Sequence, residues 1–173
     1  MMSMPKWVFE DDCLAPERKI TLNFVGKNPF KICRQITDIF IKVFEASTTQ
    51  IRERDFRWDM TSDPRNFYMR IYVVKGVDAH TSMTVGAIIQ GKQPVDENKP
   101  GSVSISIEGK LRTEFNLNTA FKKTPIYKGL REFYNFVFYN EVRRKYIYMC
   151  NELINKFAEE IRAVYGMPSA LGG

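Results

Sequence analysis

The chain contains one histidine, His80, and this limits the acid–base and metal chemistry that its residues can support. A catalytic triad needs a nucleophile and an orienting acid around its imidazole, and a multi-histidine metal centre needs further imidazoles. His80 lies in the polar segment 78–81, which is typical of a solvated turn. The GxxxxGK(S/T), GxGxxG and HExxH patterns of phosphate-loop, dinucleotide and zinc-protease sites are absent from the sequence. We therefore predict no catalytic residue, no cofactor and no metal site, and expect binding rather than catalysis.

Arginines and acids alternate along residues 52–59, and two of these arginines are candidate ligand-binding groups. Phe56 and Trp58 are two residues apart, so a strand here would turn both rings toward the core. Arg52 and Arg54 have the same parity, and a buried guanidinium needs a carboxylate or another anion beside it. We expect Arg52 and Arg54 to face inward and to bind either a carboxylate of the last helix or the anionic end of a ligand. The acids of this segment should face solvent and pair across the strands with Arg70.

Three cysteines, Cys13, Cys33 and Cys150, are far apart in the sequence and odd in number. Their spacing matches neither a disulfide framework nor a CxxC metal pair. We predict three reduced thiols in apolar surroundings.

The hydrophobic period predicts the elements that position these residues. Residues 19–25 alternate apolar and polar side chains and predict a strand, whereas residues 29–46 have the three- and four-residue spacing of an amphipathic helix. Between residues 50 and 115 a period of two predicts four more strands, with a bulge at Gly109. A helical stripe follows from Pro125 to residue 165, and about 40 helical residues would extend ~60 Å. We expect this helix to break near residues 139–141, where the stripe loses phase, or else to protrude from the domain.

The order β-α-β-β-β-β-α predicts an α+β fold in which a curved antiparallel sheet of about five strands packs on a long C-terminal helix. The 173 residues suit one domain, which we assign to residues 19–166 between an N-terminal tail, 1–18, and a C-terminal tail, 167–173. No apolar run approaches the ~20 residues of a transmembrane helix. The N-terminal residues lack the pattern of a secretory signal, so we expect a cytoplasmic protein.

The element order, with the segments ERDFRWD at residues 53–59 and FYNEVRR at 138–144, resembles the START-like or SRPBCC helix-grip superfamily and an archaeal family. The resemblance implies a cavity between the sheet and the last helix that binds a small apolar or amphipathic ligand. The inward positions that would line such a cavity are Trp58, Met69, Ile71, Met83, Val85, Ile105 and Phe157, with Arg52 or Arg54 at its mouth. The other interpretation is that these side chains fill a core. A cyclase-like activity rests on fold analogy alone.

An interaction module without a cavity is the alternative to this ligand-binding hypothesis. Such a module would form a homodimer through the C-terminal helix or bind an anionic membrane or nucleic acid. The candidate residues for an anionic surface are Lys122, Lys123, Arg143, Arg144 and Lys145. The net charge of +6 is spread along the chain, however, so nucleic acid is not the partner that the sequence favours.

Overall fold

An open antiparallel sheet with helices on one face is the frame of the structure. The computed structural model describes residues 6–116 and 126–170. The elements in these residues are β1 (Lys6–Asp12), β2 (Ile20–Gly26), α1 (Lys31–Phe44), a 3₁₀ turn (Thr48–Gln50), β3 (Ile51–Trp58), β4 (Arg65–Gly76), β5 (Thr81–Gln93), β6 (Gly101–Asn116) and α2 (Ile126–Val164). The α+β class and the C-terminal helix packed on an antiparallel sheet are confirmed.

The strand order is β1-β6-β5-β4-β3, and β2 pairs with the same edge of β6 that β1 uses. Asp12 lies opposite Lys110 in the β1 pairing, and Ile20 lies opposite Ile107 in the β2 pairing. β1 and β2 are therefore two parts of one interrupted edge, whereas β3 forms the other edge of the sheet.

The described part of the chain has six strands, where the sequence predicted five. The additional strand is β1, which lies in the segment predicted to be an N-terminal tail. Its pairing partner is distant in sequence, since Lys6 lies opposite Asn116. A strand that is stabilised by so remote a partner gives little local signal.

The core lies between the inner face of the sheet and the two helices. α1 turns Ile32, Ile36, Phe40 and Phe44 toward it, at the four-residue spacing of one helix face. The ring of Phe40 stacks on Phe157 of α2, with 4.4 Å between the ring centroids. Burying a large apolar side chain contributes about 1.5–3 kcal/mol, so these contacts hold both helices on the sheet.

The last helix, α2, runs without a break over 39 residues, so the predicted break near residues 139–141 is wrong. A helix is maintained by its backbone hydrogen bonds, and no Pro or Gly lies between Gly129 and Gly166 to interrupt them. The helix ends at Val164, just before Gly166, whose φ of +66° suits the glycine found after many helices.

A β-bulge interrupts the pairing of β3 with β4 and sets the direction of the β3 side chains. Glu53 lies opposite Ile71, but Asp55 lies opposite Arg70, so one residue of β3 has no counterpart. The bulge predicted at Gly109 is wrong, because Gly109 lies opposite Val85 in an unbroken register. Because of this extra residue, even-numbered side chains of β3 point to one face before the bulge and to the other face after it.

Candidate functional site

The outer face of the sheet, which we define as the face opposite the helices, carries aromatic and basic side chains on β4 and its neighbours. On β4 the residues Phe67, Met69, Ile71 and Val73 are buried on the inner face, and the alternate residues are not. The half-buried outer residues at the centre of β4 are Tyr68, Arg70 and Tyr72. At about 3.3 Å per residue, the two tyrosines lie ~13 Å apart along the strand.

A groove of about 280 Å³ crosses the outer face beside Tyr72. Its floor includes Gly86 of β5, which lies opposite Tyr72 and has no side chain to fill the space. A Cβ atom added at Gly86 would lie 3.7 Å from the Tyr72 Cβ, at an ordinary contact distance. The groove is therefore open because Gly86 has no side chain. The backbone conformation at position 86 would also accept a residue with a side chain.

Basic side chains outnumber acidic ones around this groove. The charged residues that line it are Arg54, Arg70, Glu108 and Lys110. Arg70 lies opposite Asp55, as the sequence predicted, but Asp55 forms its ion pair with Arg57, at 2.9 Å. Within the described residues, Arg54, Arg70 and Lys110 form no ion pair, so their charges are available to a ligand.

A second groove, of about 560 Å³, lies beside Tyr68. The guanidinium carbon of Arg57 lies 5.6 Å from the centroid of the Tyr68 ring, at the distance of a cation–π contact. Gln90 lies opposite Tyr68 on β5, and Lys92 follows on the same face. The outer face thus has two aromatic positions, each with a groove and at least one cationic side chain beside it.

The structure corrects the orientation predicted for Arg52 and Arg54. Arg52 is exposed and lies opposite Tyr72, so it belongs to the outer face, and Arg54 lines the outer groove. The inward prediction failed because a strict period of two was carried through the bulge. Trp58, which follows the bulge, keeps its inward parity and lies opposite Phe67.

The apolar positions proposed from the sequence to line a cavity are packed in the core. Met69, Ile71, Met83, Val85, Ile105 and Phe157 keep at most 4% of their surface exposed, and Trp58 is half-buried beside them. A side chain that faces a ligand-sized void keeps surface that a water molecule could touch. These six side chains have almost none, and so they support the core interpretation.

The proposed anionic-surface cluster is divided. Lys122 and Lys123 lie outside the described residues. Arg143 is already occupied, since its Nε lies 2.9 Å from Asp11 Oδ2 and its guanidinium carbon lies 5.1 Å from the Phe9 ring centroid. Arg144 and Lys145 are exposed on α2. Arg143 thus connects α2 to β1.

Two of the three cysteines form a disulfide, so the prediction of three reduced thiols is wrong. Cys13 and Cys150 are bonded, with 5.7 Å between their Cα atoms. The bond joins the segment after β1 to α2, 137 residues along the chain. Cys33 remains a free thiol, and burial, with a smaller contribution from the Glu53 carboxylate, raises its pKa to about 12.

His80 is exposed in the turn between β4 and β5, as the sequence predicted. The same turn anchors α2, because Tyr146 donates a hydrogen bond from its hydroxyl to Asp78 Oδ2, at 2.9 Å. This bond, which favours the protonated phenol, raises the pKa of Tyr146. Among the described residues, no three His, Cys, Asp or Glu side chains are grouped as ligands of a metal ion would be.

Tyr68, Arg70, Tyr72 and Gly86 were not among the candidate site residues predicted from the sequence. The available signal is the alternation of Tyr68, Arg70 and Tyr72 at a spacing of two, on the parity opposite to the apolar row. Such polar alternation is equally typical of a solvated face, so it does not by itself indicate a site.

Comparisons with known protein families and with characterised proteins give no match to this chain. No helix in the described part of the chain is both long and apolar enough to span a membrane. A proposal about function therefore depends on the surfaces of the molecule.

Proposed function

We propose that the protein binds single-stranded nucleic acid on the outer face of its sheet. Bases would stack on Tyr68 and Tyr72, and phosphates would bind Arg70, Lys92 and Lys110. The observation that carries the proposal is the pair of half-buried tyrosines on a sheet face that no described helix covers, separated by an arginine that likewise has no ion pair in this part of the chain.

Stacking on tyrosine suits bases of any sequence, since every base has a π-face. Such contacts are worth about 1–3 kcal/mol per base, and sheets with exposed aromatics bind two or three unstacked bases in this way. Two tyrosines ~13 Å apart leave room between them for Arg70 to contact the backbone of a strand that crosses the sheet. The bases of a duplex are already stacked on one another, so a duplex could not use the two rings.

The charges around the grooves support an anionic partner. Arg54, Arg70 and Lys110 surround the groove at Gly86 with one carboxylate, that of Glu108. The net charge of +6 adds long-range attraction for a polyanion. In the first part of β6 the side chains on this face are small, namely Ser102, Ser104 and Ser106, and Ser104 lies in line with Gln90 and Tyr68, so little bulk covers the sheet beside Tyr68.

The helix-grip relationship inferred from element order is itself a proposal, and it favours a different function, the binding of an apolar ligand between sheet and helix. The near-complete burial of Ile71, Val85 and Phe157 speaks against such a site at the positions predicted from the sequence. The outer face offers accessible groups instead, and so it supports the nucleic-acid proposal better.

Fluorescence anisotropy with labelled single-stranded RNA and DNA of about 10 nucleotides tests the proposal. We expect Tyr72→Ala to weaken binding about 5- to 150-fold, from the loss of one stacked base. The matched control is Tyr148→Ala, because Tyr148 is 76% exposed on α2 and lies away from the outer face. Arg70→Gln should weaken binding and reduce the salt dependence by about one phosphate contact, whereas Arg144→Gln on α2 should do neither.

Three results would contradict the proposal. The first is the absence of binding at low salt. The second is equal loss in Tyr72→Ala and Tyr148→Ala, because the Tyr72 ring would then make no specific contact, or equal loss in Arg70→Gln and Arg144→Gln, because binding would then depend on overall charge alone. The third is binding of duplex as tightly as single strands, which would exclude stacking on the tyrosines.

A further inference from the structure

The groove at Gly86 has a tyrosine on one side and a carboxylate on the other. Tyr72 of β4, Gly86 of β5 and Glu108 of β6 lie in one row across the outer face, each opposite the next. Neighbouring strands are about 4.8 Å apart, so the Cα atoms of Tyr72 and Glu108 are separated by about 10 Å. Because Gly86 has no side chain, this row is open between the tyrosine and the carboxylate.

The Glu108 carboxylate is accessible. Glu108 is exposed, and it forms no ion pair with any residue that the structure describes. Further along β6 a pair at a spacing of two does form, since Arg112 Nε lies 2.9 Å from Glu114 Oε1. Lys110 has the same spacing from Glu108 and lines the same groove without such a contact. The oxygens of Glu108 are therefore free to accept hydrogen bonds from a ligand.

A carboxylate in a groove that otherwise carries cations does not suit a phosphate, which it repels. An ionised carboxylate only accepts hydrogen bonds, and its two oxygens can accept two parallel bonds at once. In a nucleic acid the matching donors are the N–H groups on the edges of unpaired bases. Glu108 is therefore suited to contact a base and not the backbone.

The four bases differ in how well their Watson–Crick edges match a carboxylate. Guanine presents two neighbouring donors, N1–H and the 2-amino group. Adenine and cytosine each present one amino group beside a ring nitrogen that is an acceptor, and uracil presents one N–H between two carbonyl oxygens. A carboxylate thus forms two hydrogen bonds with guanine, whereas with each other base it forms one and also faces an acceptor.

We propose that Glu108 makes the groove selective for guanine. This selectivity rests on the proposed function, because it requires a base that is stacked on Tyr72 with its edge directed across Gly86 toward β6. Lys110, the next residue of β6 on this face, carries the donor that the neighbouring carbonyl oxygen O6 of guanine needs. Glu108 then determines which base binds, whereas Tyr72 and Arg70 provide affinity for any strand.

Single strands of about 10 nucleotides with one variable base test the selectivity. RNA and DNA strands of pyrimidines carry guanine, hypoxanthine or adenine at one central position, and fluorescence anisotropy gives each dissociation constant. Hypoxanthine keeps N1–H and O6 of guanine and lacks only the 2-amino group. We expect the guanine strand to bind about 5- to 150-fold more tightly than the adenine strand, as one bidentate contact provides, with hypoxanthine between them.

Glu108→Gln removes one acceptor and the charge that repels phosphate. The guanine strand should therefore lose its advantage, while the adenine strand should bind as tightly as before or more tightly. This response separates a loss of selectivity from a loss of folding, which would weaken the binding of both strands. Glu141→Gln makes the same charge change on an exposed residue of α2 and should leave the guanine preference unchanged.

The negative results have different meanings. If no strand binds at low salt, the nucleic-acid function and the guanine selectivity are both refuted. If the strands bind and Tyr72→Ala weakens their binding, but guanine and adenine strands bind equally, only the selectivity is refuted. A guanine preference that Glu108→Gln leaves intact also overturns the role of Glu108, because another group would then contact the base edge.

Discussion

Removal of the Cys13–Cys150 disulfide should lower the stability of the protein by between about a third and the whole of its folding free energy. The bond closes a loop with a sequence separation of 137. In the chain-entropy treatment, a loop of this length restricts the unfolded chain by about 5 kcal/mol. Since domains of this size are stable by about 5–15 kcal/mol, the reduced protein should unfold at a much lower urea concentration than the disulfide-bonded protein.

Chemical reduction and a double variant together separate the effect of the disulfide bond from the effect of the two sulfur atoms. Reduction with dithiothreitol breaks the bond and keeps both sulfur atoms, which are almost completely buried. Cys13→Ala with Cys150→Ala breaks the bond and also removes the sulfur atoms from the core, so it should destabilise further. Cys33→Ala is the control, because Cys33 is not bonded.

Urea unfolding followed by circular dichroism measures the loss, and thiol titration in denaturant measures the bond itself. We expect one reactive thiol per chain before reduction and three after it, from the three cysteines of the sequence. Three thiols in the unreduced chain, or a midpoint that reduction does not change, would refute the reasoning.

Two further predictions concern individual positions. Gly91→Ala should destabilise by about 1–3 kcal/mol in urea unfolding, because its Cβ would overlap the Ser102 carbonyl oxygen of the neighbouring strand, whereas Gly86→Ala, with 3.7 Å to the nearest atom, should change stability little. The Cys33 thiol should make folding pH-dependent: its pKa rises from an ordinary 9.0 to about 12 on folding, so its contribution is complete below pH 9 and is lost as the pH rises toward 12. Unfolding of wild type and Cys33→Ala between pH 8 and pH 11 measures this, and parallel curves would contradict it.

The strands of the central sheet could be predicted from the sequence because each carries its own alternation. Val103, Ile105 and Ile107 alternate with serines and an acid, and they are buried as expected. β1 could not be predicted in the same way, because its partner is residues 110–116 of β6. Local pattern reports which face of a strand is apolar, but it does not report a remote pairing.

The candidate site was less accessible to sequence reasoning than the fold. One inserted residue between Glu53 and Asp55 was enough to move Arg52 from the predicted inner face to the outer face. The disulfide depends on a tertiary approach of Cys13 and Cys150 that no spacing rule reports. The outer face was missed for a different reason: polar alternation predicts exposure, and exposure alone does not distinguish a solvated surface from a binding surface.

The use of one edge of β6 by both β1 and β2 has a consequence for synthesis of the chain. The first two strands leave the ribosome early, but residues 101–116, with which both pair, are made much later. At ribosomal rates of 5–20 residues per second, about 5 to 20 seconds pass between the synthesis of β1 and the synthesis of its pairing partner in β6. During that interval its apolar residues are exposed to chaperones and to other nascent chains. β1 and β2 can therefore join the sheet only after residues 101–116 have left the ribosome, so the first strand in the sequence is among the last to be paired.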